Sequence, residues 1–283
     1  MMKKSAFSLI EISIVILVIS ILISGVLQSK LMIKKSRLTT AQTLTTTSPV
    51  NDIENLVTWY ETSLNSSFVV AEAKDATAIG TWYDNNPQAI SRKNATQSTT
   101  ANKPKFYVNV FNNALPAVRF DGTNDYLDFD GADLVNSSYT IFVVEQRRAT
   151  GYLPFIGGTG GSLNTVLVLG YSSSTNITQS QYSNDLNYTV AGYSSPSVNI
   201  HTFMLNTTNG KSYWVSGGST ADATEGSQTA PLTSFAGSNL GKFSSNYFNG
   251  DLGEIIIFNR SLKIEERRLI EKYLGEKYNV TLS

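Results

Sequence analysis

The chain contains no cysteine. Disulfides and thiolate metal sites are therefore excluded, and an exported domain must be held by its core alone. Histidine is nearly absent too: His201 is the only one in 283 residues. That argues against a multi-histidine zinc centre and against most imidazole-based catalysis. Net charge is missing as well, because 22 Lys and Arg balance 22 Asp and Glu. No basic excess points to nucleic acid, and no acidic excess points to a solvating tail. What remains is uneven. The first thirty residues are almost wholly aliphatic, and the rest is rich in Ser, Thr, Asn, Gly and Tyr. The contrast predicts a membrane segment followed by a β-rich domain of exported type.

The chain opens Met1-Met2-Lys3-Lys4-Ser5-Ala6 and continues Phe7-Ser8-Leu9-Ile10-Glu11. No charge occurs from Ile12 to Ser29. As a helix, residues 7–29 measure ~35 Å at ~1.5 Å per residue, against a bilayer core of ~30 Å. The run exceeds the ~7–15 apolar residues of a cleaved signal peptide. Lys3 and Lys4 precede it and favour a cytoplasmic N-terminus. Glu11 stands out, since a carboxylate in an apolar span costs at least ~2.5 kcal/mol near the helix centre.

The pattern Lys3-Lys4-x-Ala6-Phe7-Ser8-Leu9-Ile10-Glu11, followed by an aliphatic run, closely resembles the leader of type IV pilins and of type II secretion pseudopilins. The resemblance covers residues 3 to about 30. It implies cleavage by a prepilin peptidase between Ala6 and Phe7, and methylation of the new amine of Phe7. It also implies an assembly role for Glu11, which would pair with a neighbouring subunit's N-terminal amine. Pairing offsets a desolvation cost that neither charge carries well alone. The family usually has Gly before the cut, where this chain has Ala6. The implied partners are other pilin subunits and the peptidase. The implied location is the inner membrane for a single-pass precursor with its C-terminus outside the cytoplasm, then an extracellular pilus.

Residues 30–47 keep a helical rhythm, with Leu31, Leu38, Ala41 and Leu44 on one face and Lys34, Lys35, Arg37 and Gln42 on another. The run Thr45-Thr46-Thr47 weakens the helix signal through β-branching, and Pro49 ends it. Ile53, Leu56, Val57 and Tyr60 are spaced as one face of a short helix or turn. From there the period shortens. Segments 117–120, 126–129, 139–146, 165–171, 200–205, 212–215 and 248–258 are rich in Tyr, Phe, Val and Ile, with turn signals at Asp121-Gly122 and Asn209-Gly210. They predict an antiparallel β-sandwich or jelly roll. Residues 264–278 return to helical spacing, with Leu269, Ile270, Tyr273, Leu274 and Tyr278 on one face. The fold class expected is mainly β: a long N-terminal helix, half transmembrane and half amphipathic, then the sandwich and a C-terminal helix. The domains expected are a leader at 1–6, a helix at 7–48 that spans at 7–29, and a sandwich at 51–283.

Three passages carry a second resemblance. They are Leu56-Val57-Thr58-Trp59 with Thr81-Trp82-Tyr83-Asp84 downstream, Leu115-Pro116-Ala117-Val118-Arg119-Phe120-Asp121-Gly122, and Gly250-Asp251-Leu252-Gly253-Glu254 leading into the 265–267 helix. In that order they resemble the concanavalin A-like, laminin-G-type sandwich of bacterial surface proteins. Such domains often have a capping Ser or Thr where this chain has Lys263, which leaves Ser261 as the cap.

Candidate sites in the sandwich are few. Asp121, Asn124 and Asp125, with Asp128, Asp130 and Asp133 downstream, form an oxygen-rich run that could bind Ca²⁺. The same residue types serve turns through their own side chains. A glycosidase needs two carboxylates facing one cleft. Asp128-Phe129-Asp130 is the nearest approach to an alternating acidic strand. The glycine run at 157–161 lacks the Lys-Ser/Thr ending of a phosphate loop. The chain is therefore expected not to be an enzyme. It is expected to be a type IV pilus subunit, minor or specialised, whose sandwich binds a glycan or a surface. The alternatives are a type II secretion pseudopilin or a membrane-anchored surface lectin. No cofactor other than Ca²⁺ is implied.

Overall fold

The computed structural model of the chain describes residues 8–190, 192 and 196–283. Helix α1 runs Leu9–Thr46 and helix α2 runs Ile264–Tyr278. Between them lie two antiparallel sheets packed face to face. The first is ordered Ala223–Glu225, Gly210–Val215, Asn199–Asn206, Tyr139–Arg147, Asn249–Phe258, Leu115–Asp121, Lys105–Phe111, Thr77–Ala78. Leu56–Glu61 joins it on the edge of Asn249–Phe258, at residues 254–258. Leu115–Asp121 pairs with the other half of the same strand, at 249–252. The second sheet is ordered Asp185–Thr189, Asn176–Ser180, Val168–Tyr171, Leu153–Gly157, Asn239–Leu240, Leu127–Asp128, Ala95–Thr96, Thr81–Trp82. The mainly β architecture with an N-terminal and a C-terminal helix is thus as expected.

Period-two alternation divides the central strands between two cores. Ile141, Val143, Phe203, Leu205, Ile255 and Ile257 point between the sheets and meet Phe155, Leu169 and Ile177 of the second sheet. Phe142, Val144, Ile200, Ile256 and Phe258 point the other way, onto Ile270, Tyr273 and Leu274 of α2 and Ala41 of α1. The first sheet is therefore buried on both faces, which explains its near-continuous apolar strands. The result is three layers: sheet, sheet and helices.

The structure corrects two local expectations. Residues 56–61 form a strand, not a helix or turn, and all six are buried. Their β-branched and aromatic side chains fit a pleated, doubly covered site better than the apparent helical spacing. Helix α1 ends at Thr46, inside the threonine run and ahead of Pro49. Thr43 and Thr45 return their hydroxyls to the carbonyls of Thr39 and Ala41 four residues back, and Thr46 returns its own to Thr43. Ser261 does not cap α2: the N-cap position is Lys263, and the Ser261 hydroxyl accepts from Asn206. Glu266 does that work instead. Its carboxylate accepts the Lys263 backbone N–H at 2.9 Å and holds the Arg260 guanidinium through two bonds of 2.8 Å. Arg260 draws its pKa down to about 2.

The two turn signals have different fates. Asn209-Gly210 closes the hairpin between Asn199–Asn206 and Gly210–Val215, with Gly210 at φ +89°. Asp121-Gly122 (φ +76° at Gly122) carries the chain from the first sheet to the second, rather than back along a neighbour.

Candidate functional site

The site most distinct from a plain sandwich is α1 and its junction with the domain. Ala6 and Phe7 lie outside the described residues. Ser8 caps α1: its hydroxyl accepts from Ile10, and its backbone N–H donates to Glu11 Oε2 at 2.8 Å. The first carboxylate of the chain is thus tied to the helix end, where the positive end of the dipole favours it. From Ile12 to Ser29 the helix presents only uncharged side chains to its surroundings, and Leu9 to Ile33 stay exposed. An 18-residue window reaches a mean hydropathy of 2.7, and none of it is buried in the rest of the chain. Ser20, Ser24 and Ser29 return their hydroxyls to carbonyls four residues back, at 2.7, 2.9 and 2.9 Å, and Ser13 to one three back at 2.8 Å. Every serine in the apolar stretch is thereby satisfied inside the helix, as hydrocarbon surroundings require. This helix is long and apolar enough to cross a membrane.

The last turns of α1 are locked to the sandwich. Arg37 donates to Asn112 O and Gln42 to Ser63 O, both at 2.8 Å. Buried Thr45 reaches the Tyr273 hydroxyl at 3.2 Å and Ser63 Oγ at 3.4 Å.

Beneath that contact lies a fully buried charge network. Lys277 Nζ donates to Glu254 Oε2 at 2.8 Å, Glu61 Oε2 at 3.0 Å and Tyr273 Oη at 3.1 Å, so all three of its protons are used. Glu254 also accepts from Trp59 Nε1 at 2.7 Å, Tyr273 Oη at 2.8 Å and Tyr278 Oη at 3.2 Å. Glu61 accepts from the backbone and hydroxyl of Ser63, the backbone of Leu64 and the hydroxyl of Ser67, at 2.5–2.7 Å. Burial alone would raise the Glu61 carboxyl, but Lys277 and the serine hydroxyls hold it below its usual value. Burial pushes Glu254 above its usual value; Lys277 only partly offsets this, and the charge of Glu61 adds to it. Two acids and one ammonium thus fasten the first strand, the last strand and α2, with Tyr273 relaying to Thr45 of α1.

The residues of the run considered for Ca²⁺ make these contacts within the chain. Asp121 Oδ1 accepts the backbone N–H groups of Thr123 and Asn124 at 2.7 and 3.2 Å, and Asp125 Oδ2 accepts that of Asp121 at 3.0 Å. Burial, with Asp121 nearby, pushes Asp125 up to about 6. Asp128 accepts from Asn239, while Asp130 and Asp133 both pair with Lys93, at 2.8 and 3.0 Å. The acids are thus divided among the Asp121–Asp125 turn, Asn239 and Lys93. Among the described residues, no group of three or more His, Asp or Glu is placed to hold a metal.

His201 is buried among aromatics, stacked on Phe155 at 5.2 Å between ring centres. Its Nδ1 lies 2.8 Å from Tyr213 Oη and its Nε2 lies 3.0 Å from Glu145 Oε1. Glu145 also accepts from Tyr171 Oη and Asn199 Nδ2, both at 2.9 Å. Sequence reasoning did not find Glu61, Glu145, Glu254 or Lys277. Their one signal was polarity at positions whose strand or helix neighbours are apolar.

No family model matches the sequence, and no curated protein matches it. Solved structures similar to the chain share its sandwich. A Trypanosoma rangeli sialidase in complex with 2,3-difluorosialic acid is 15% identical with a TM-score of 0.53, over 88% of this chain and 40% of that one. A structure concerned with the dependence of botulinum neurotoxin type C cell entry on two ganglioside molecules is 11% identical with a TM-score of 0.53, over 80% and 52%. A mutant GH54 α-L-arabinofuranosidase soaked with 4-nitrophenyl α-L-arabinofuranoside is 12% identical with a TM-score of 0.51, over 71% and 51%. This chain therefore spans about half of those proteins or less, and the likeness is one of fold. It corrects one expectation. Sialidases and an arabinofuranosidase contain this type of sandwich, so the inference that the chain is not an enzyme does not stand.

Proposed function

We propose that this chain is a membrane-assembled surface subunit of the type IV pilin kind, whose sandwich engages glycans. One observation carries the first half. α1 is a single uninterrupted helix whose outer half is wholly unpartnered and apolar, with one carboxylate near its start. Its inner half is clamped to the domain by Arg37, Gln42 and Thr45. A helix of that design transmits position from a membrane or filament core to a displayed domain. The segment Ala6-Phe7-Ser8-Leu9-Ile10-Glu11 supplies the processing junction, with methylation at Phe7 and pairing of Glu11 with a neighbour's amine. The glycan half is supported by the shared sandwich, which occurs in a sialidase bound to a sialic acid derivative and in a neurotoxin dependent on gangliosides.

Mass spectrometry of the mature protein from sheared surface filaments tests the first half. The expected product begins at a methylated Phe7, and Glu11→Ala is expected to insert in the membrane yet fall at least about tenfold in sheared filaments. A mature chain that keeps Met1, or normal incorporation of the Glu11 variant, removes the pilin reading. For the second half, the purified full chain is applied to a glycan array with and without Ca²⁺. Binding to a defined glycan set is expected, and a blank array at micromolar protein argues for a purely structural sandwich.

A further inference from the structure

We propose that the end of the sandwich beside residues 30–38 of α1 is a membrane-docking face that takes anionic phospholipid headgroups of the bilayer holding that helix. The inference rests on α1 crossing a bilayer. The uncharged stretch ends at Ser29 and the helix continues without proline to Thr46. Lys34 and Lys35 therefore stand about 8 Å beyond the stretch, at ~1.5 Å per residue. The headgroup zone on each side of a bilayer is roughly 5–8 Å deep. Both lysines are at headgroup level.

The domain reaches the same level. Lys34, Lys35 and Leu38 form one wall of a groove of about 290 Å³, and Ala73, Phe106 and Val108 form the other. The rim carries apolar side chains that the fold leaves uncovered: Val70 is 83% exposed, Val69 42% and Val108 39%. The rim also has a built shape. Glu72 and Ala73 donate their backbone N–H groups to Val69 O at 2.9 and 3.0 Å, closing a turn with Val70 at its tip. Asp75 Oδ1 accepts from Val108 N at 3.0 Å and ties that turn to the strand Lys105–Phe111. Lys34, Lys35 and, on the turn itself, Lys74 have no carboxylate within ion-pair distance among the described residues. Asp75 keeps its charge while accepting from Val108, so three lysines stand against the two acids Glu72 and Asp75 and the face has a net positive charge of one.

An apolar tip beside unpaired lysines is the composition of an interfacial membrane contact. Short apolar side chains enter the headgroup boundary while ammonium groups meet lipid phosphates. The occupant is set by continuity. The helix that carries Lys34 also places the face against its own bilayer, before any second copy arrives.

Since the chain has no cysteine, single labels report cleanly. Nitroxides are placed by Val70→Cys, Ile19→Cys and Ile90→Cys on the full chain. Each is reconstituted as one copy per nanodisc, in phosphatidylcholine alone or with phosphatidylglycerol. Collision with oxygen reports lipid exposure, and collision with a water-soluble nickel complex reports water exposure. Ile19 lies in the span. Ile90 lies on the loop that Gln88 fastens to Asn51 and Ile53, past the far end of α1. The expected result is lipid exposure at 19 and water exposure at 90 in both discs. At 70, a shift from water to the interface is expected when phosphatidylglycerol is present. Lys34→Glu or Lys35→Glu should cut the docked fraction about fivefold each. Water exposure at 70 in both discs, with 19 in lipid, overturns the docking face alone. Water exposure at 19 overturns the span beneath it. Shielding at 70 that arises only in discs holding two copies assigns the face to a second subunit and also overturns the proposal.

Discussion

Lys277→Met is expected to cost 3–5 kcal/mol of folding stability, roughly the penalty for removing one partner from a buried charge network. The variant leaves Glu61 and Glu254 facing each other without their cation, both with fully buried side chains. Glu61 keeps its serine donors and Glu254 keeps Trp59, Tyr273 and Tyr278. Hydrogen bonds therefore remain, and the loss is that of the countercharge. Adding Glu254→Gln to Lys277→Met removes the like-charge pair, and it should recover about 1–3 kcal/mol as a coupling between touching residues. Urea denaturation of the wild type, both single variants and the double variant closes the cycle. A cost below about 1 kcal/mol for Lys277→Met would show that the junction is held by its apolar contacts alone. Because Tyr273 joins this network to Thr45, partial unfolding of the variant should also loosen α1. Earlier proteolysis near residues 47–55, ahead of the sandwich, would report it.

The second large effect is opposite in sign. Lys211 lies in the strand Gly210–Val215 with its side chain buried, donating to the backbone carbonyls of Gln179 and Asn184. Burial brings its pKa down to about 7, with Asp185 opposing the shift. In the unfolded chain its pKa is near 10.5. Between those values the unfolded state binds the extra proton, so stability rises as pH increases from about 7 to about 10. Below about 7 both states are charged, and the folded state carries the full desolvation cost. A shift of that size corresponds to several kcal/mol. Lys211→Met should therefore stabilise the protein at pH 6 by about 1–3 kcal/mol, once the carbonyl of Asn184 that loses its donor is set against the relief. The gain should vanish near pH 10. Thermal or urea unfolding of wild type and variant at pH 6, 8 and 10 measures the difference. A difference that does not vary with pH would mean that the ammonium is solvated or paired in the folded state.

Signals that repeat along the chain could be read before the fold was known. The uncharged run from Ile12 to Ser29 specifies a helix long enough to span a membrane because hydrocarbon length and helical rise are fixed quantities. The 264–278 helix was legible because Ile270, Tyr273, Leu274 and Tyr278 keep one face, and α2 buries that face on the first sheet. The alternation in 139–146 and 248–258 showed strands. It could not show that Phe142 and Ile256 face helices while Val143 and Ile255 face another sheet, because both environments select the same side chains. At Leu56–Glu61 the local spacing was misleading, and burial on both faces overrode it.

Contacts between distant residues were decided by tertiary structure alone. Glu61 and Glu254 reach Lys277 across separations of 216 and 23 residues, and no local period marks such a meeting. Asp121 and Asp125 look alike in sequence as turn residues and as cation ligands. Only the fold shows that one oxygen of each accepts backbone N–H groups of the turn. Sequence alone thus determined where the chain can enter a membrane, since one helix satisfies its own backbone and needs no partner to be recognised. What that helix carries, and how firmly, was left to long-range packing: three buried charges, one tyrosine and one threonine that meet only when the sandwich closes.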